Sequence, residues 1–284
     1  VKPGTHSAPM GWSTINHMDT ITITSQSGDT SNTSIVISTL SDCENIIIKK
    51  LKIQPLAIYP NEYPDKGAVI QRCKNLVIDS CLIVGNFQSP HDIAFTFTDS
   101  KGGTRISNNT FRKFNLGLVF TPYSSYNSGH HIGYKEISNN HFQNVRTAIK
   151  LGGSFHDTTR IEFNVMDSVE VGIKGERTGQ SHELNFYSGL LLINSNSILN
   201  VSKQAIHLSP QASGTAHVKI CNNMLSGGQL WSFIRYASFQ SRKINHYRTL
   251  QVNQILSGEV LNNSIWGGFV LGNVGSFKIR NNAI

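Results

Sequence analysis

Four residues recur at one place in a repeated phrase, and together they are equipped to handle an anion. The phrase reads Arg146-Thr-Ala-Ile-Lys150-Leu-Gly, then Glu170-Val-Gly-Ile-Lys174-Gly-Glu176, Lys203-Gln-Ala-Ile-His207-Leu-Ser and Trp231-Ser-Phe-Ile-Arg235-Tyr. If the copies stack, Lys150, Lys174, His207 and Arg235 form one column of cations. Such a column neutralises a carboxylate, and a base within it removes a neighbouring proton. Lys174 or His207 is the expected base and Arg235 the expected clamp. Glu176 is the acid nearest to them in the chain. Two lysines about 5 Å apart repel by about 3 kcal/mol at an effective dielectric of about 20. Folding asks for no such repulsion, and an anionic ligand relieves it. The plainer alternative is a solvated charged face whose long side chains splay apart.

A second phrase supplies the elements that would position these groups. It appears as Ile106-Ser-Asn-Asn-Thr-Phe111, Ile137-Ser-Asn-Asn-His-Phe142, Ile220-Cys-Asn-Asn-Met-Leu225, Val260-Leu-Asn-Asn-Ser-Ile265 and Ile279-Arg-Asn-Asn-Ala-Ile284. Looser copies start at Ile48, Ile78, Ile161 and Ile193. Self-similarity at about this period marks a solenoid, here one turn of chain per copy. Each copy parses as a short strand, an Asn-Asn corner, a second short strand, and then the lysine-bearing strand. Three strands per coil and about nine coils make an all-β parallel β-helix. Its coils stack at about 4.8 Å, and its asparagines are expected to bond along the axis.

At these residues the chain resembles the right-handed parallel β-helix superfamily typified by pectate lyases and phage tailspikes. The resemblance covers about residues 35–284 and rests on the ladder positions. It implies that the lysine-bearing third sheet faces the substrate. It also implies a tailspike-type receptor-binding protein or depolymerase, acting on a bacterial surface glycan, at a virion tail or outside the cell. A homotrimer and contacts with other virion proteins follow from the resemblance alone. Residues 1–34 are expected to be a lead-in or cap. The start at Val1 and the end at Ile284, inside a coil, predict a fragment whose open sheet edge is covered by more chain or by a partner.

Alternation along the third strand sets the rest of the proposed surface. With Phe95, Leu118, Ile149, Ile173, Ile206 and Ile234 inward, Thr96 and Val119 join the cation column. A second outward column holds Asp92, Asn115, Arg146, Glu170, Lys203 and Trp231. Between them, Ala94, Gly117, Ala148, Gly172 and Ala205 are expected to form an outer floor for a sugar ring, closed by Phe233 and Trp231. The loops that follow this strand carry Tyr123, Tyr126, His130, His131 and His156, suited to stacking on sugars and to hydroxyl contacts. They leave one corner and should form one wall.

Three chemistries compete for such a site. Hydrolysis needs two carboxylates about 5–9.5 Å apart. Glu170 and Glu176 lie too far apart on one strand, and Asp157 or Glu183 would have to partner Glu176. Elimination needs the cations and base already named, and would make the chain a lyase or epimerase on an acidic glycan. Pure binding, in a stiff fibre or adhesin, needs neither.

Composition narrows the partners. The 284 residues carry 25 Lys and Arg against 17 Asp and Glu, a formal charge of +8. An anionic partner is favoured. The charges form no basic tail, so nucleic acid is not expected. No apolar run is long enough for membrane insertion. No metal or cofactor motif is found, and two adjacent histidines alone make no metal site. The four cysteines, Cys43, Cys73, Cys81 and Cys221, contain no CxxC pair. Cys43 and Cys73 hold equivalent places in successive copies, as stacked thiols or as a bridge.

Overall fold

The computed structural model describes residues 4–6, 14–16, 19–30, 33–55, 67–85, 92–121, 130–176, 184–186, 190–209, 217–227, 250–253, 257–272 and 276–284. They form a parallel β-solenoid without helices. The first sheet contains ten parallel strands, from Asp19–Thr24 to Ser276–Arg280. The nine expected isoleucine or valine positions all fall into one register. Ile48 pairs with Ile78, Ile78 with Ile106, and Ile106 with Ile137. The series runs on through Ile161, Ile193, Ile220 and Val260 to Ile279. A tenth rung precedes them, with Ile23 on Ile48. It escaped the sequence pattern because Gly28 stands five positions after Ile23, where the other copies carry an apolar residue.

The corner after this sheet explains the Asn-Asn pair. Its first residue takes left-handed backbone in every coil from Lys50 to Asn281, with φ between 53° and 57°. That conformation costs most residues about 1–2 kcal/mol, and asparagine tolerates it best. The second residue turns inward. Asn109, Asn140, Asn164, Asn196, Asn223 and Asn263 are buried there, with Asn282 next in line. The Nδ2 of Asn164 donates to Oδ1 of Asn196 at 3.0 Å and to the Ile137 carbonyl at 2.8 Å. The Asn164 amide N–H donates to the same Asn196 oxygen at 3.0 Å. The pattern repeats from Asn109 to Asn282, so each amide ties together neighbouring coils.

The other two faces run together into one sheet of 18 strands, because Thr110–Thr121 and His141–Leu151 pass unbroken from the second face to the third. Like side chains stack inside. Phe111 lies on Phe142 and Phe97 on Phe120, each pair with centroids 4.7 Å apart, which is the strand spacing itself. A buried aliphatic core fills the remaining interior.

Replacing Asn196 by Ala should lower the unfolding free energy by about 3 kcal/mol or more. It strips partners from Asn164 and Asn223, and each buried polar group left unsatisfied costs about 1–3 kcal/mol. Urea unfolding followed by circular dichroism checks this. A loss under about 1 kcal/mol contradicts the ladder's role.

Candidate functional site

The third face carries the expected cation column through three of its four members. Lys150 pairs in register with Lys174, and Lys174 with His207. All three side chains are partly exposed. The fourth rung differs from expectation. His207 pairs with Gln251, on the strand Leu250–Asn253, and not with Arg235. Arg235, Trp231 and Phe233 lie outside the described residues. The phrase around Ile234 matches its relatives in sequence and lies outside the described residues, and the described rung after His207 is Gln251. Toward the start of the chain the column continues through Val119, Thr96 and Val69, all buried. Thr96 and Val119 thus keep the expected register without the expected exposure.

The floor of small residues is overturned. Ala94, Ala148 and Ala205 are fully buried members of the core. A Cβ built on Gly172 would meet the Ile198 side chain at 2.6 Å and the Ala205 carbonyl oxygen at 2.5 Å. One on Gly117 would meet the Phe142 ring at 3.1 Å. Strict alternation fails here, since Ala148 and Ile149, like Ala205 and Ile206, are successive residues that are both fully buried. The column's residues are small because the next coil's backbone passes close by.

Of the second column, Arg146, Glu170 and Lys203 stand outward and are internally paired, whereas Asn115 is buried and Trp231 lies outside the described residues. Glu170 accepts from Arg146 Nε at 2.8 Å and from Lys203 Nζ at 2.5 Å. Arg146 Nη1 reaches Asn115 Oδ1 at 3.4 Å. Burial alone would raise the Glu170 carboxyl, but the hydrogen bonds and charges of Lys203 and Arg146 hold it below the usual carboxylate range. Beside this chain of ion pairs lies a groove of about 410 Å³, lined by Lys113, Asn144, Arg146, Ser168, Glu170, Asn200 and Ser202. Its rim is the second corner of the coil, where Lys113, Asn144, Ser168 and Asn200 all take left-handed backbone. Sequence reading missed this groove, since the corner residues share a conformation but not a residue type.

The loops after the third strand do come together. Strands His130–His131, Gly153–Phe155 and Leu184–Phe186 form a separate parallel sheet of three. His131 is buried in it, against Phe120 and Phe155, and its Nδ1 lies 3.0 Å from Ser100 Oγ. His156 follows on the same wall, half-buried. Tyr123, Tyr126 and Glu183 lie outside the described residues, and Glu176 is described only in its backbone, paired with Ser209. Asp157 Oδ2 accepts from the Gly133 amide at 2.6 Å. Glu162 and Asp167 accept from Asn194 and Asn200 on neighbouring coils, a structural use.

Lys135 anchors this wall, and the sequence reading passed it over. Alternation from Ile137 places it inward, on a rung between Thr104 and Thr159. It is 1% exposed, and its Nζ donates to the carbonyls of Gly102 at 2.9 Å, Ile132 at 2.7 Å and Gly133 at 3.0 Å. Gly133 has φ +87°, and a Cβ there would strike the Gly102 backbone, so the turn needs glycine. Burial pushes the Lys135 pKa down to about 8, against an opposing pull from Asp157.

Comparison with known proteins comes from structure alone. No family model matches the chain, and no curated protein matches it. Endopolygalacturonase I from Stereum purpureum, solved with two galacturonate, is 15% identical. The match covers 99% of this chain and 93% of that one, with a TM-score of 0.50. The fold is the right-handed parallel β-helix of the pectate-lyase type. The family 28 exopolygalacturonase of Yersinia enterocolitica matches at 13% identity over 87% of this chain and 47% of that chain, TM-score 0.49. A hyperthermoactive exopolygalacturonase from Thermotoga maritima matches at 12%, over 88% and 54%, TM-score 0.48. The chain thus spans about half the length of these two β-helix proteins. Identities this low establish a shared fold and leave activity to be argued from the site.

Lys135 gives a pH signature with a definite sign. Between pH 8 and about 10.5 the unfolded chain keeps a proton on this lysine that the folded chain has released, so its contribution to stability rises with pH. Relative to Lys135→Met, the wild type should gain about 3 kcal/mol across that range, read from denaturant midpoints at each pH. A difference that stays flat would show that the ammonium is not desolvated.

Proposed function

We propose that this chain is a carbohydrate-recognising β-helix that takes an acidic glycan on its third face. The observation that carries this reading is the register of Lys150, Lys174 and His207. Three successive coils each present a basic side chain at one outward position. Groups at this spacing suit a polymer that repeats its negative charge along the helix axis. The groove beside Arg146 and Lys113 offers neighbouring polar contacts, and the three-stranded loop sheet stands beyond the other end of the strand. The shared fold with a polygalacturonase solved with galacturonate supports the same class of ligand. Among the described residues no helix is long and apolar enough to cross a membrane.

For turnover we propose elimination, for which the described third face offers a base and neighbouring cations. Glu170 is held ionised by two cations, the wrong state for a general acid. Lys174 or His207 would serve as base, with the adjacent cations neutralising the uronate carboxylate. The tailspike-type reading, with a bacterial surface glycan, a homotrimer and a place on a virion or outside the cell, rests on the sequence resemblance. Light scattering tests its trimer.

Titration with polygalacturonate and with a neutral glucan, by calorimetry, tests the binding. The wild type should prefer the anionic polymer. Lys150→Met with Lys174→Met should weaken that binding by on the order of 100-fold, because charged hydrogen bonds are worth about 1.5–3 kcal/mol each. Equal affinity for both polymers, or no loss in the double variant, contradicts the proposal. Glu170→Gln has the opposite sign. It frees Arg146 and Lys203 from an internal carboxylate and should tighten anionic binding several-fold in the same titration. For turnover, ultraviolet absorbance from an unsaturated product indicates elimination, whereas reducing ends without absorbance indicate hydrolysis.

A further inference from the structure

Cys43 and Cys73 are buried thiols, neither in a disulfide, on successive rungs of one inner corner. The backbone sets them in register. Asp42 N–H donates to the Gln71 carbonyl at 3.0 Å, and Lys74 N–H donates to the Cys43 carbonyl at 2.8 Å. A bidentate ion pair locks the preceding position, with Arg72 Nε on Asp42 Oδ1 at 2.6 Å and Nη2 on Oδ2 at 2.5 Å. Rungs stack at about 4.8 Å, inside the Cα separation of about 4.4–6.8 Å that a disulfide spans. The Cys43 thiol donates to the Ser41 carbonyl at 3.2 Å, and the Cys73 thiol to the equivalent Gln71 carbonyl at 3.5 Å, so the two thiols repeat one arrangement on successive coils. Cys81 and Cys221 differ. Cys81 sits in the other corner, at the head of the asparagine ladder, where its amide donates to Asn109 Oδ1 at 2.9 Å. Cys221 lies beside Asn194, which its thiol meets at 3.3 Å.

We infer that Cys43 and Cys73 form a disulfide across two coils when the chain folds in the presence of a disulfide oxidant. The thiolate of one cysteine attacks the oxidant RSSR, forming a mixed disulfide and releasing one RS⁻. The second cysteine's thiolate then displaces the other RS⁻ and closes the Cys43–Cys73 bond. Two protons leave the protein and are taken up by the two RS⁻ groups, so two thiols are oxidised and one RSSR becomes two RSH. The bond closes one complete coil, the loop between residues 43 and 73. It stabilises chiefly by restricting the unfolded chain. Burial raises the Cys73 thiol well above its ordinary range, so the reaction belongs to folding, before the corner closes over the sulfurs.

The full chain is refolded from denaturant with oxidised glutathione, or with a reductant, then alkylated and mapped by mass spectrometry. The expected result is a Cys43–Cys73 linked peptide in the oxidised sample, with Cys81 and Cys221 alkylated. The thermal midpoint should rise by several degrees, and reductant should abolish the rise. Cys81→Ala with Cys221→Ala should keep both the link and the shift, while Cys73→Ser should lose both. Alkylation of Cys43 and Cys73 in refolded, oxidised protein overturns the inference. So does a mixture of links through Cys81 or Cys221. Neither readout depends on a glycan, so the outcome is independent of the proposed function.

Discussion

A buried primary amide has two protons and two lone pairs to satisfy, and in this molecule they are directed along the axis. Asn164 gives one proton to the Asn196 oxygen and the other to main-chain carbonyls, while its own oxygen receives the Asn140 amide. A one-residue slip between coils would turn every ladder asparagine outward and leave those groups unpaired. The same slip would expose Ile137, Ile161 and Ile193 in place of polar neighbours. Polar and apolar requirements thus select one registration. Everything on the third face, including the spacing of its cations, follows from it.

The site is a consequence of stacking more than of local design. Lys150, Lys174 and His207 are separated by dozens of residues, yet the coil returns them to neighbouring rungs. The pairing of Arg146, Glu170 and Lys203 shows that adjacent rungs also neutralise one another where opposite charges alternate. Exposed pairs of this kind add little stability, so their interest lies in where they leave net positive charge. Inside, the same return of the chain stacks Phe111 on Phe142 and the Cys43 thiol on Cys73. Lys135 shows the interior working in reverse. Its ammonium stands among the carbonyls of Gly102, Ile132 and Gly133 and donates to all three.

Much of this was legible because it is periodic. The isoleucine or valine opening each copy predicted nine of the ten rungs of the first sheet, and the lysine four residues after Arg146 predicted the outward column through His207. What was not legible broke the period. The alternation used to place Ala148 and Gly172 outside fails because two successive residues, Ala148 and Ile149, both lie in the core. The phrase at Ile234 was expected to follow Ile206, and the described partner of Ile206 is Leu250. Nothing in composition distinguishes the two, since both offer an apolar residue followed by a polar one. The groove beside Asn144 depends on left-handed backbone shared by Lys, Asn and Ser, which no pattern of residue types reveals.

The most direct test of the account measures proximity across coils in solution. Nitroxide labels are attached at positions 150 and 174, substituted by cysteine in a chain whose native cysteines are replaced by alanine. Electron paramagnetic resonance then reads their separation. Adjacent rungs about 5 Å apart should give spectra strongly broadened by spin exchange. Narrow spectra, the same as those of the singly labelled chains, would mean that Lys150 and Lys174 do not share a column, and the glycan face would have no basis.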